Sequence, residues 1–287
     1  MSEKKIEPTY IGENKSLVFV NPTELFTMFS SRRVKADSEN SELLNKYVKS
    51  TIEGLQNAIK TKYGNENNTE TQTSPDFWDE FEKKVRDFGI DFIGYTSVIE
   101  NFIFYKLTIY GKNAIVLGME LKSDGIKTAP NILSAIESFR VYKELGEKTI
   151  ELTNYLKSKG FKSEAHHPFG GKLLYPPHAV EAGLGIKGRN GLVCTPEFGI
   201  RQRWSMITTD AVIPNTIKRN FTELENFCQD CGECISNCLG EAAYKEPIEK
   251  VKGSGVITHI ERSKCTQSML NNNYCSVCLK ACPQGHL

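Results

Sequence analysis

Nine cysteines occur among the 287 residues of this chain, and eight of them fall in one stretch near its carboxyl end. Reduced thiols packed this densely are typical of a metal site rather than of disulfides. The surrounding segments are short and poor in long apolar runs, so we expect a small domain whose fold depends on its metal. The eight are Cys228, Cys231, Cys234, Cys238, Cys265, Cys275, Cys278 and Cys282.

The order of the cysteine spacings resembles the ligand run of bacterial ferredoxins. There, three cysteines at steps of two residues bind one [4Fe–4S] cluster, and a fourth, three residues on, binds the other cluster. Two departures are visible: Leu239 stands where a proline usually follows the fourth cysteine, and Cys265 is displaced upstream. The resemblance implies one cluster on Cys228, Cys231, Cys234 and Cys282, and a second on Cys238, Cys265, Cys275 and Cys278. Zinc and disulfides are the weaker alternatives, because zinc sites use paired Cys-x2-Cys units.

The overall composition limits the kinds of partner and the location that we expect for the chain. The net charge is +1 with 25% charged residues, which gives no reason to expect nucleic acid or an anionic membrane as a partner. No apolar run is long enough to span a bilayer, and the first residues lack the apolar core of a secretory signal. Ser31-Arg32-Arg33 resembles a twin-arginine signal, but polar residues follow it, so we interpret it as a solvated helix end or loop. We therefore expect a cytoplasmic protein.

Hydrophobic periodicity predicts a mixed α+β domain ahead of the cysteines. Helices are predicted over residues 41–60 and 131–159, and a third begins at Ser74-Pro75-Asp76. Strands are predicted over 90–95, 114–121, 191–195 and 204–209, the second being so apolar that it should be central. We divide the chain into an N-terminal extension of unclear role (1–76), an α+β domain (77–218) and a ferredoxin-like double-cluster domain (219–287).

Two local features have ordinary interpretations. Cys194 lies in an apolar strand and is interpreted as a buried core thiol. The stretch Gly183–Gly188 matches G-x-G-x-x-G, but it follows a predicted helix and precedes a strand, which is the wrong context for a dinucleotide site.

Several motifs between the predicted helix and the cysteines resemble one superfamily. They are Ala182-Gly183-Leu184-Gly185, Gly188-Arg189-Asn190-Gly191-Leu192, Thr195-Pro196-Glu197-Phe198-Gly199, Arg203 and Thr208-Thr209-Asp210-Ala211. Followed by two cluster motifs, this block is similar to the corrinoid-binding core of reductive dehalogenases and epoxyqueuosine reductases. Tyr110 to Gly118 also looks familial. The resemblance covers about residues 77–287.

The resemblance implies a nitroreductase-like fold with a base-off cobalamin between it and the cluster domain. Electrons would pass through the two clusters to the cobalt. Glycines allow close approach to a flat macrocycle, although turn formation explains them equally well. The corrinoid-binding residues implied are Gly183, Leu184, Gly185, Arg189, Asn190, Gly191, Thr195, Pro196 and Phe198.

The proton donor is less clear from the motifs. Epoxyqueuosine reductases supply a proton from an Asp-containing segment, and the corresponding residues 166–178 contain no Asp. Dehalogenases use a tyrosine near a basic residue, and Tyr175 with Lys172 fits that description. Histidine titrates in the useful range, so His166, His167 and His178 are further candidates.

Three functions are compatible with these residues. The first is a cytoplasmic corrinoid-dependent, iron–sulfur oxidoreductase that acts on a small molecule and receives electrons from a low-potential donor such as ferredoxin or flavodoxin. The second is an electron-transfer or corrinoid-processing partner whose target is a corrinoid protein. The third replaces the corrinoid by a flavin, for which no phosphate-binding signature is present.

Overall fold

The computed structural model describes residues 7–19, 38–61, 63–64, 68–249 and 251–286. In chain order the described strands are β1 (Tyr10–Ile11), β2 (Phe92–Ser97), β3 (Thr108–Ile109), β4 (Asn113–Glu120), β5 (Ser163–His166), β6 (Ile186–Lys187), β7 (Val193–Cys194), β8 (Gln202–Thr209), β9 (Ala243–Glu249) and β10 (Ile257–Ile260). The described helices are α1 (Ser38–Lys60), α2 (Phe77–Asp87), α3 (Ser123–Ile126), α4 (Ile132–Ser158), α5 (Tyr175–Glu181), α6 (Thr222–Cys231), α7 (Glu233–Ser236), α8 (Arg262–Asn271) and α9 (Val277–Ala281).

The architectural centre is a four-stranded antiparallel sheet in the order β2-β4-β8-β5. Strand β4 is central, as its apolar sequence predicts, and its interior residues are fully buried. Side chains alternate between the two faces of a strand. Ile115 and Leu117 accordingly join the core formed with α2 and α4. Ala114 and Val116 join a second core that includes Ala179 of α5. The sheet is therefore covered on both faces.

Helix α4 is the longest described helix. Its N-cap is Asn131, whose side-chain oxygen accepts a hydrogen bond from the Leu133 amide at 3.1 Å. Helix α1 packs along α4, and Leu44 and Val48 contact Phe139 in a third apolar cluster. Residues 38–60, to which the sequence assigned no role, thus form part of the same body.

The cysteine region, residues 222–286, consists of short helices and the β9–β10 hairpin. Its buried apolar side chains are few among the residues described; they are Leu224, Ala242 and Leu279. The sequence predicted that this region would have a small apolar core. Apolar burial alone therefore gives the region little stability.

Each helix and strand predicted from the sequence is observed to within a few residues, but several of the shorter observed elements were not predicted. Strand β5 was missed, and the predicted strand 191–195 shortens to Val193–Cys194. Residues 31–36, interpreted as a helix end or loop, lie outside the described residues. No helix in the described ranges has both the length and the apolar character needed to cross a bilayer.

Candidate metal centre and polar site

Three closely spaced cysteines and a fourth that is distant in sequence line one cavity. They are Cys228, Cys231, Cys234 and Cys282. Helix α6 carries the first two, α7 carries Cys234, and Cys282 follows α9. Gly199 approaches from the sheet side so closely that a Cβ there would lie 3.0 Å from the sulfur of Cys282. The thiols on this cavity are those the ferredoxin resemblance groups together.

The other four cysteines form a second group. Cys265 interacts electrostatically with Cys238 and Cys275, and Cys278 interacts with Cys265 and Cys275. Cys278 also interacts with Cys234 of the first group, so the two groups are neighbours. Burial raises the pKa of Cys278 to about 12 and, with the nearby thiols, that of Cys234 to about 11. A bound metal would oppose this effect, because coordination deprotonates a thiol.

The chemistry of this donor set fits iron–sulfur clusters. All nine cysteines lie in the described residues, and none forms a disulfide. Within those residues no group of three or more metal-binding side chains is arranged around a single ion. A cubane separates its four thiolates more widely than one ion does, so a cluster suits four thiols around a shared cavity better than zinc does.

Two arginines join the cysteine region to the sheet. Arg201 is 5% exposed; its Nε donates to the Gly285 carbonyl at 2.6 Å and its Nη1 to Glu120 Oε1 at 2.7 Å. Arg189 donates from Nη1 and Nη2 to the carbonyls of Gln229 and Lys245, both at 2.9 Å. These contacts hold α6 and the chain end against the sheet.

A polar cluster lies around β5, an edge strand of the four-stranded sheet. Glu164 is buried, accepts a short hydrogen bond from Lys172 Nζ, and has an Oε2 without a hydrogen-bond partner. Lys172 Nζ also lies 5.6 Å from the centre of the Tyr110 ring, which stacks on Tyr63 at 5.2 Å. Burial raises the pKa of Glu164, and the charge of Lys172 opposes that rise. The tyrosine beside Lys172 is therefore Tyr110.

The predicted catalytic residues are thus only partly brought together. The Tyr175 hydroxyl donates to the His167 carbonyl at 2.7 Å, and burial raises the pKa of Tyr175. The sequence did not suggest Tyr110 as a partner of Lys172, because 62 positions separate the two residues. Its place at the start of the Tyr110–Gly118 motif was the sequence feature that could have identified it as a candidate.

The candidate histidines are buried and already engaged. His178 accepts from the Ile99 amide at 3.0 Å, so its Nδ1 donates to the Leu174 carbonyl at 2.6 Å. His167 Nδ1 accepts from Phe169, and its unpartnered Nε2 packs against helices α1 and α4. Burial lowers the pKa of His167 to about 3 and that of His178 to about 4. Burial also lowers the pKa of His166, which lies 3.0 Å from Thr208 Oγ1. These histidines are neutral at pH 7.

The glycines proposed to face a corrinoid approach the protein's own backbone instead. A Cβ on Gly183 would lie 2.3 Å from the Ile217 carbonyl oxygen, and one on Gly185 would lie 2.4 Å from that of Cys194. Gly191 has φ +81° and faces His259. The turn interpretation, which the sequence left open, accounts for Gly183 and Gly191, whose φ angles are positive, whereas Gly185 allows a close approach to the Cys194 backbone.

The remaining predicted corrinoid residues are also occupied by internal contacts. Leu184 is buried in an apolar core, and Thr195 Oγ1 accepts from the Phe198 amide at 3.1 Å. The Pro196 carbonyl accepts from Gln284 at 2.8 Å. Asn190 lines the first cysteine cavity. Together these residues help to build the junction between the sheet and the cysteine region, and their role in binding a corrinoid stays a prediction.

The site and fold define a class: a protein with a helix-covered antiparallel sheet and eight thiols in two adjoining groups. No protein-family model matches the chain. A tetrachloroethene reductive dehalogenase of Desulfitobacterium hafniense is 29% identical over 183 residues, 60% of this chain and 32% of the relative. The chain thus spans about a third of that relative's length.

Solved structures show the same fold. The catabolic reductive dehalogenase NpRdhA, in complex with 3-bromo-4-hydroxybenzoic acid, superposes with a TM-score of 0.76 at 16% identity, over 100% of this chain and 44% of that one. An epoxyqueuosine reductase bound to a tRNA stem loop gives a TM-score of 0.50 at 17% identity, over 72% of this chain and 65% of that one. In sequence the chain is similar to reductive dehalogenases, and it shares its fold with a reductive dehalogenase and an epoxyqueuosine reductase, which are oxidoreductases.

Proposed function

We propose that the chain is an iron–sulfur reductase that passes electrons through two [4Fe–4S] clusters to a corrinoid, which reduces a small-molecule substrate. The observation that carries this proposal is the grouping of the eight thiols into two adjoining sets of four, joined where Cys234 neighbours Cys278. Adjoining cubanes give a path for single electrons. The sets correspond to the ligand assignment of a double-cluster ferredoxin, so we propose residues 219–287 as a ferredoxin-like domain and 77–218 as the corrinoid-binding, nitroreductase-like domain.

The corrinoid part of the proposal rests on the superfamily relationship. A bound corrinoid would supply a strongly reducing cobalt next to the substrate. What the chain itself offers is a proton source: the Tyr110 phenol carries an exchangeable proton, and Lys172 Nζ lies 5.6 Å from the centre of its ring.

The hydrogen bond to the buried Glu164 would keep Lys172 in place beside Tyr110. Removing Glu164 would leave the ammonium free to move away from Tyr110. We therefore propose Tyr110 as proton donor and Lys172 as the group that stabilises the phenolate, in place of the pair Tyr175 and Lys172. A low-potential donor such as ferredoxin or flavodoxin and a cytoplasmic location complete the proposal, since cluster-forming thiols must stay reduced.

The test is to load the protein and count its metals. The full chain is expressed anaerobically, reconstituted with iron and sulfide, incubated with hydroxocobalamin and desalted. We expect about eight irons and one cobalt per chain with a base-off cobalamin spectrum. Eight irons without retained cobalt would overturn the corrinoid assignment and leave an iron–sulfur electron carrier or a flavin enzyme.

The second candidate is a partner protein that reduces, carries or processes a corrinoid belonging to another protein. It is favoured by Gly183 and Gly185, where the space of a missing Cβ is filled by the carbonyls of Ile217 and Cys194 and not left open for a ligand. The rate at which bound cobalamin exchanges with free cobalamin distinguishes the two candidate functions. A bound cobalamin that does not exchange with isotopically labelled free cobalamin over hours supports the enzyme, whereas rapid exchange supports the partner protein.

A further inference from the structure

Asn190, which lines the first cysteine cavity, has a buried donor without an acceptor. The residue is 6% exposed, and its Oδ1 accepts a hydrogen bond from the Leu192 amide at 3.2 Å. That contact fixes which end of the side-chain amide is oxygen, because a backbone N–H requires an acceptor. The other end, Nδ2, has no hydrogen-bond partner among the described residues. A buried amide donor left unsatisfied costs about 1–3 kcal/mol, so an acceptor in the cavity is expected.

Cys194 is the second unassigned side chain of the same cavity. It is 2% exposed and belongs to the apolar core, as the sequence predicts for a core thiol. Its thiol also lines the cavity beside Cys228 and Cys282, which the sequence did not predict. Pairing of Cys194 with Ile186 across β6 and β7 fixes its backbone.

Cys194 is surplus to the ligand set. Cys228, Cys231, Cys234 and Cys282 supply one thiolate for each of the four iron corners of a cubane. Cys194, a fifth thiol on the same cavity, has no iron corner left to ligate and offers an S–H group to the sulfur atoms there. Asn190 and Cys194 therefore offer two donors toward the same group of sulfur atoms.

We propose that Asn190 and Cys194 donate hydrogen bonds to sulfur atoms of the cluster held by Cys228, Cys231, Cys234 and Cys282 and thereby raise its reduction potential. The inference rests on the proposed function, because it requires that cluster. Reduction adds one negative charge that is spread over the cluster sulfurs, and hydrogen bonds to a more negative acceptor are stronger. Donors therefore stabilise the reduced cluster more than the oxidised one. Both are positioning residues rather than catalytic ones.

The test is an EPR-monitored redox titration of the reconstituted full chain and its variants. Cys194→Ala removes the S–H donor, whereas Cys194→Ser keeps a hydroxyl donor and serves as the matched control. We expect one of the two reduction waves to move to lower potential in Cys194→Ala by about tenfold in the one-electron equilibrium constant, about 59 mV. In Cys194→Ser that wave should stay near the wild-type position. Asn190→Ala should move the same wave in the same direction, and the other wave is the internal reference.

Iron content and a proton measurement separate the remaining outcomes. If both reduction potentials are unchanged in Cys194→Ala and Asn190→Ala while the iron content is full, the inference is overturned. If Cys194→Ala loses half of its iron, Cys194 is a cluster ligand and the inference is likewise overturned. If those variants do not fold, ENDOR spectra of the reduced wild-type protein in H2O and D2O decide: exchangeable protons coupled to the cluster support the donors, and none overturns them. A wild-type protein that takes up no iron would instead refute the proposed function.

Discussion

Strands β4 and β9 belong to regions that are held together differently. In the sheet region, residues 92–209, four consecutive residues of β4 from Ala114 to Leu117 are fully buried. In the cysteine region, the last five residues of β9, from Lys245 to Glu249, are all exposed. Burying one large apolar side chain contributes about 1.5–3 kcal/mol. The sheet region can therefore fold on apolar burial, whereas the cysteine region depends on bound metal and on contacts from the sheet.

Metal removal should give the largest effect. Anaerobic chelation of the reconstituted protein should reduce amide hydrogen-exchange protection throughout residues 222–286 by tenfold or more, because metal binding and folding are coupled in such domains. Protection in β4 and β8 should change little. Retained protection around Cys265 and Cys278 after iron loss would show that the cysteine region has a sufficient core of its own.

Arg201→Met tests the contacts from the sheet. The substitution removes the donors to Gly285 and Glu120 and leaves buried acceptors, so it should lower the free energy of unfolding by about 3–5 kcal/mol. Arg219→Met is the control: Arg219 pairs with Glu197 at the surface, where such pairs contribute about 1 kcal/mol or less. Urea titrations of the reconstituted protein measure both. Equal effects would contradict a special role for Arg201.

Tyr110→Phe tests the polar cluster of the sheet region. Loss of the phenol should reduce the rate of substrate reduction about 10²-fold with iron and cobalt content unchanged, as expected for a missing general acid. Tyr175→Phe is the rival variant; we expect it to lower stability by about 1 kcal/mol through loss of the hydrogen bond to the His167 carbonyl. A 10²-fold loss in Tyr175→Phe alone would restore Tyr175 as the donor.

The buried histidines predict an acid-sensitive sheet region. In the unfolded chain a histidine has a pKa of about 6.5. In the folded protein, burial lowers the pKa of His167 to about 3 and that of His178 to about 4. The unfolded state therefore binds more protons below pH 6.5, and stability falls as pH falls. The loss should be about 2 kcal/mol per histidine between pH 7 and pH 5. His167→Asn, which keeps an acceptor for the Phe169 amide, should flatten the pH dependence, and an unchanged slope would contradict it.

The features that could be predicted from sequence depend on local patterns. β4 was recognisable because its residues form an unbroken apolar run, and the thiol spacing suggested a grouping that the cavity around Cys282 now supports. β5 was missed because Ser163, Glu164 and His166 are polar yet buried, with partners supplied by Lys172 and Thr208 from elsewhere in the chain. A pattern of polar residues does not reveal such distant partners.

The same reason explains what the sequence could not show at the site. Cys194 was recognisable as a buried thiol, but the cavity that it shares with Cys228 and Cys282 joins segments that are separate in sequence. The proximity of Lys172 to Tyr110 likewise arises from the packing of two strand ends. From the sequence, residues close to Lys172 along the chain, such as Tyr175, were the available candidates for the proton donor.

Iron and acid-labile sulfide content tests the central claim most directly, measured on the reconstituted full chain beside Cys282→Ser and Cys278→Ser. The account predicts about eight irons and eight sulfides in the wild type and two EPR signals on reduction. It also predicts that each variant perturbs a different signal, since Cys282 and Cys278 belong to different sets. About four irons, a single zinc ion, or the same signal lost in both variants would contradict it.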